Sequence, residues 1–157
     1  TEQKYQGSYE MIARFLDQYS SVSMLDKVNY WQQVVFSWII GNADMHLKNF
    51  SLYSTREGHY VLCPTYDQVS TKIVMPEDTE EMALSLNGFK KSLLVYDFRE
   101  AILSTGLSEV VANRIISGFA KFRDKWMVCI DNSFIPDNQK EQYKKLIDHR
   151  LETLAKE

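Results

Sequence analysis

The chain has 157 residues, of which 45% are hydrophobic and 25% charged, with a formal net charge of −3. Those values suit one globular domain, residues 1–157, with a core of its own and no need of metal or disulfide staples. A mildly acidic chain without a run of Lys and Arg lacks the basic face of a dedicated nucleic-acid binder. No apolar stretch nears the ~20 residues that span a bilayer, so neither direct nucleic-acid contact nor membrane insertion is expected.

The first predicted helix follows Ser8, a good N-cap, and repeats Tyr9, Ile12, Phe15, Leu16 and Tyr19 at helical spacing. A second helix is expected after Asp26, with an apolar stripe of Val28, Trp31, Val35, Trp38 and Ile39 ended by Gly41. Phe50–Tyr53 and His59–Leu62 flank the polar turn Thr55-Arg56-Glu57-Gly58, which reads as a β-hairpin. Pro76–Glu81 reads as a solvated acidic loop, and Met82–Leu86 fits either a strand or irregular backbone. A short helix opens at Asp97, with Glu100 in the capping-box position, and closes at Gly106. The next helix is expected from Ser108 through Trp126, with Val111, Ile115, Phe119, Phe122 and Trp126 inward. The last begins at Asp137 after Pro136 and buries Tyr143, Leu146, Ile147, Leu151 and Leu154. The fold class is mainly α (α+β): a helical domain with one hairpin inserted after the second helix. Trp31, Trp38 and Trp126 belong to core stripes. Cys63 and Cys129 sit in apolar sequence surroundings without C-x-x-C spacing, and are expected as buried free thiols of a reducing cytoplasm. No signal peptide is visible.

Chemistry concentrates in Gly41-Asn42-Ala43-Asp44-Met45-His46-Leu47-Lys48-Asn49-Phe50, a loop mounted between a helix and a hairpin. Phosphoryl transfer needs a carboxylate to orient the attacking hydroxyl, and an amide oxygen plus a second carboxylate to hold Mg²⁺. Asp44 and Asn49 have the base-to-amide spacing of that pattern. The hairpin is expected to return the chain so that Asp67 lies beside Asn49, giving the hard oxygen donors that suit Mg²⁺ and not zinc.

Gly41-x-x-Asp44-x-His46-x-Lys48-Asn49-Phe50-Ser51, followed by Tyr66-Asp67 and Ser70, resembles the catalytic and metal-binding segments of HipA-like toxin kinases. Phe36–Gly41 resembles the helix entering that loop, and Leu84–Gly88 resembles a later family segment. Phosphoinositide-type lipid kinases share a D-x-H-x-x-N loop, so the loop alone does not decide. The resemblance implies the C-terminal lobe of a cytoplasmic serine/threonine kinase that uses ATP and Mg²⁺. Asp44 would be the catalytic base, and Asn49 and Asp67 the metal ligands. His46, Leu47, Lys48, Asn49, Tyr66 and Asp67 would line the nucleotide phosphates. For His46 a loop-holding role stands beside phosphate contact, for Lys48 a solvated charge, and for Tyr66 hairpin packing. The family further implies a protein substrate, such as an aminoacyl-tRNA synthetase, and an antitoxin partner.

A kinase also needs a phosphate-covering loop and a Lys on the α/β-phosphates, and the six glycines are scattered here. With Thr1 in place of an initiator Met, the expectation is a fragment lacking its N-terminal nucleotide-clamping lobe and inactive alone. A kinase-derived binding module and a kinase acting on a small molecule are the alternatives. Lys90-Lys91 reads as a solvated pair or as a contact for an acidic substrate, and His59 and His149 carry no pattern.

Overall fold

The computed structural model describes residues 2–156. The expected helical layout with its single antiparallel hairpin is what the chain adopts. After a 3-10 turn, Glu2–Tyr5, come α1 (Tyr9–Tyr19) and α2 (Ser23–Ile39). A second 3-10 turn, Leu47–Asn49, leads into β1 (Leu52–Ser54) and β2 (Tyr60–Leu62). Then follow α3 (Thr71–Val74), α4 (Val95–Leu103), α5 (Glu109–Ser117), α6 (Arg123–Asp131) and α7 (Asp137–Ala155).

Helix α2 runs through the middle and packs against α1, α5, α7 and β2. Tyr30, Trp31, Val34, Val35 and Ile39 are fully buried along it. Trp31 donates from Nε1 to Thr105 Oγ1 at 3.0 Å, so its one polar atom is satisfied inside the core. Helix α1 begins where expected, with Ser8 Oγ accepting from Met11 N at 3.2 Å. Its inner face is Tyr9, Ile12, Ala13 and Leu16, whereas Phe15 and Tyr19 point outward and stack on each other with ring centroids 4.2 Å apart.

Several local expectations are corrected. Asp26 is not the N-cap of α2, which starts three residues earlier. Instead it is buried, and its Oδ2 accepts from Ser20 Oγ at 2.6 Å and from Leu62 N at 2.7 Å. One carboxylate thus ties the α1–α2 turn to β2. Asp97 is likewise one turn inside α4: its Oδ2 accepts from Leu94 N at 2.9 Å, capping the helix from within. The helix expected from Ser108 to Trp126 breaks at Gly118, where a Cβ would lie 2.7 Å from the Arg114 carbonyl oxygen. The chain turns through a 3-10 segment, Ala120–Phe122, and resumes as α6. The aromatic stripe survives the break, since Phe36, Phe119 and Trp126 still meet with centroids about 6 Å apart.

Met82–Leu86 is a buried strap and not a strand. It is pinned by Tyr9 N donating to Ser85 O at 3.0 Å. Within the acidic loop Glu81 is engaged, with Oε2 accepting from Trp38 Nε1 at 2.8 Å and Oε1 from Ser92 N at 2.9 Å. Lys90 lies near Glu80, with Nζ 3.8 Å from Oε2. The thiols are not buried: Cys63 is half-buried and Cys129 exposed. On α6 the apolar neighbours of Cys129 in sequence face other directions, so they do not set its exposure. No helix among the described residues is long and apolar enough to cross a membrane.

Candidate functional site

The loop carrying Asp44 is fixed at its entry by Gly41. This residue takes φ +77°, and a Cβ there would lie 2.7 Å from Leu146 Cδ2 of α7. Only glycine meets both demands without cost. The next residue, Asn42, is 1% exposed and holds two distant segments together. Its Oδ1 accepts from Asp44 N at 3.2 Å, and its Nδ2 donates to Asp67 O at 3.0 Å. Thr71 closes the same turn from α3, accepting from Ala43 N at 2.9 Å and donating to Gly41 O at 3.2 Å.

The floor of the loop is anchored to the core. Met45 is fully buried, and its carbonyl accepts from the Tyr9 hydroxyl at 2.8 Å. Burial pushes the Tyr9 phenol well above its ordinary value. The Tyr30 hydroxyl in turn donates to Tyr9 O at 2.8 Å. The loop therefore rests on a hydrogen-bonded column rising from α2.

Asn49 is 4% exposed, and its Oδ1 accepts from His46 N at 3.0 Å. Its Nδ2 donates to Asp67 Oδ2 at 2.6 Å. The hairpin has thus done what its sequence predicts: the register Leu52↔Leu62 returns the chain and sets Asp67 beside Asn49. Asp67 adopts φ +55°, a left-handed conformation that Asp tolerates better than most residues and that concentrates at functional sites. The Tyr66 hydroxyl donates to Lys48 O at 2.9 Å and lies within hydrogen-bond distance of Ser51 Oγ at 3.2 Å, so Tyr66 clamps the base of the hairpin.

Asp44 is half-exposed and opens onto a cavity of about 500 Å³ that Thr71, Met75 and Asp78 also line. Asp44 Oδ2 lies 3.9 Å from His46 Nε2. The His46 ring is buried, and its Nδ1 has no hydrogen-bond partner among the described residues. The Leu47 side chain packs against the core, whereas Lys48 is exposed. The segment before α1 adds two residues that the sequence did not single out. The Tyr5 hydroxyl donates to Asp44 Oδ1 at 2.8 Å. The Lys4 ammonium lies 4.6 Å from the Tyr5 ring centroid, and it is pushed above its ordinary value by Tyr5 first and then by the Asp44 and Asp67 carboxylates. One cation therefore feels both acids. Asn42 had a legible signal, a side-chain acceptor two residues before Asp44 as in an Asx turn. Tyr5 had none, because it arrives from 39 residues away.

Comparisons with known proteins bear on the fold and the family. The family described as the HipA-like C-terminal domain matches residues 1–126. A Haemophilus influenzae protein named "Putative kinase" is 26% identical over 145 residues, covering 82% of this chain and 42% of that protein. A Sinorhizobium fredii protein named "Putative kinase Y4dM" is 40% identical over 91 residues, covering 57% of this chain and 22% of that protein. This chain thus spans less than half the length of these curated relatives. Among solved structures, HipA of Shewanella oneidensis in a complex with HipB and operator DNA matches with a TM-score of 0.78. At 20% identity, with 93% of this chain and 35% of that one covered, this likeness establishes the fold. The chain is a kinase-related domain and belongs to the HipA-like C-terminal domain family.

Proposed function

We propose that this chain is the catalytic-loop lobe of a protein serine/threonine kinase that transfers the ATP γ-phosphate to a Ser or Thr hydroxyl. The observation that carries the reading is the pairing of Asn49 with Asp67 across the closed hairpin, 2.6 Å apart, on the same loop framework as Asp44. Asn42 supports it by tying the Asp44 and Asp67 backbones to one side chain.

The donor set fits Mg²⁺. Asp67 offers a carboxylate, and the Asn49 amide oxygen has a second lone pair beyond the one given to His46 N. Two protein oxygens, completed by phosphates and water, are what Mg²⁺ ordinarily takes. When bound, the ion neutralises charge on the transferring phosphates.

Asp44 acts as the base in this reading. Its half-exposed carboxylate lines the cavity, and it would take the hydroxyl proton as the acceptor oxygen bonds to the γ-phosphorus and the bond to the ADP oxygen breaks, ADP leaving. The backbone of the base is held by Asn42 and the Gly41 turn, so its position is built into the fold before any substrate arrives. A phosphate-covering loop and a nucleotide-binding Lys are contributed, in this proposal, by polypeptide outside these residues. An antitoxin partner and a protein acceptor remain part of the same proposal, by likeness to HipA.

The test uses the full-length polypeptide that contains this chain, with labelled ATP and Mg²⁺. Asp44→Asn keeps the shape and removes the base, and phosphotransfer is expected to fall by at least about 100-fold. Undiminished transfer by that variant would refute the assignment.

A further inference from the structure

The turn Glu2–Tyr5 brings a phenol onto Asp44 from outside the catalytic loop. The Tyr5 hydroxyl lies 2.8 Å from Asp44 Oδ1. Its ring meets His46 edge-on, with centroids 5.4 Å apart and planes at 73°. Tyr5 also lines the Asp44 cavity. A carboxylate rotates in a broad, two-fold torsional well, so nothing in its covalent structure decides which oxygen faces a substrate. A hydrogen-bond donor on one oxygen removes that freedom.

We propose that Tyr5 is a positioning residue for Asp44: its hydroxyl fixes Oδ1, so that Oδ2 is the oxygen presented to the acceptor. This rests on the reading of Asp44 as the base. The chemistry favours a phenol for the task. A neutral donor restrains the carboxylate without placing a full opposite charge on it. A cation in the same place would form an ion pair and oppose proton uptake. The Asp44 Oδ2 atom approaches His46 Nε2 no closer than 3.9 Å, beyond hydrogen-bond length, so it is not committed to a partner inside the loop. Tyr5 is 41% exposed, and its edge contact with His46 holds the ring against the buried imidazole. The restraint therefore links the 3-10 turn, the imidazole and the base in one unit.

The experiment compares Tyr5→Phe with the unaltered full-length polypeptide in steady-state phosphotransfer, alone and combined with Asp44→Asn. The substitution removes one oxygen and keeps the ring. The expected result is a fall of about tenfold in kcat, equal to about 1.4 kcal/mol, with KM for ATP within twofold. In the Asp44→Asn background the same change should cost nothing further, because the phenol acts only through the carboxylate. Where residual turnover in that background is below detection, the kcat-against-KM split of Tyr5→Phe decides alone. The proposal is overturned if Tyr5→Phe leaves kcat within twofold or raises it, or if it lowers the rate equally in both backgrounds. Wild-type turnover by Asp44→Asn itself would instead remove the base assignment on which the proposal stands.

Discussion

Asp26→Ala probes how the hairpin that carries Asp67 is held to the helical core. Asp26 and Leu62 are both buried, at 4% and 8% exposure. Asp26 Oδ2 accepts from Leu62 N at 2.7 Å and from Ser20 Oγ at 2.6 Å. Removing the carboxylate strands the Leu62 N–H inside the protein, which costs about 1–3 kcal/mol, and forfeits charge-assisted bonds of similar size. The Ser20 hydroxyl is only partly buried and can turn to water, so its share is smaller. A total of about 3 kcal/mol follows, or a fall in Tm of roughly 6–12 °C for a domain of this size. Asp26→Asn retains an oxygen acceptor and loses the charge, so about 1 kcal/mol is expected. Urea and thermal unfolding of the chain measure both. Amide exchange at Leu62 should accelerate beyond the global effect in Asp26→Ala, since that donor is the one left unpaired. An Asp26→Ala protein within about 0.5 kcal/mol of wild type, with Leu62 still protected, would refute the view that this carboxylate locks the hairpin.

Gly41→Ala forces a side chain into φ +77° and onto Leu146 Cδ2 at 2.7 Å. Urea unfolding should report a loss of at least about 1–2 kcal/mol from the left-handed conformation alone. Arg150 is buried with its guanidinium 4.6 Å from the Trp38 ring centroid and donates to the Trp38 carbonyl. Arg150→Met removes that bond and the contact with the Trp38 ring, but Gly41 N still donates to Trp38 O at 3.0 Å, so about 1 kcal/mol is expected in the same assay. Burial lowers the Arg150 value to about 10, with Glu81 opposing the shift. A base with a depressed folded value gains stability only as pH rises past that value. Arg150 should therefore contribute no slope to unfolding measured from pH 6 to 9.

Much of this site was legible because its parts are short-range or joined by a simple turn. Ser8 as N-cap, Gly41 as helix stop and the hairpin between Leu52 and Leu62 are all set by neighbouring residues. The hairpin then converts a separation of 18 residues between Asn49 and Asp67 into a contact. Long-range contacts left no such trace. Asp26 has the composition of an N-cap, yet two donors from other elements claim its oxygen and draw it inside the helix. Tyr5 lies in a turn without apolar periodicity, and only tertiary structure carries it to Asp44. The Ser108–Trp126 stripe misled for another reason. A short 3-10 turn keeps the inner face nearly aligned, so the pattern persists across a helix break at Gly118.

In the proposed reaction Asn49 and Asp67 together hold a divalent ion against nucleotide phosphates. Mn²⁺ in place of Mg²⁺ gives a direct readout: its electron paramagnetic resonance signal, measured with full-length polypeptide and a non-hydrolysable ATP analogue. Nucleotide-dependent Mn²⁺ binding is expected in the unaltered protein, weakened at least about tenfold by Asn49→Ala and by Asp67→Ala, as loss of an oxygen donor requires. Mn²⁺ binding by both variants equal to that of the unaltered protein, with folding intact, would rule out Asn49 and Asp67 as the ligands.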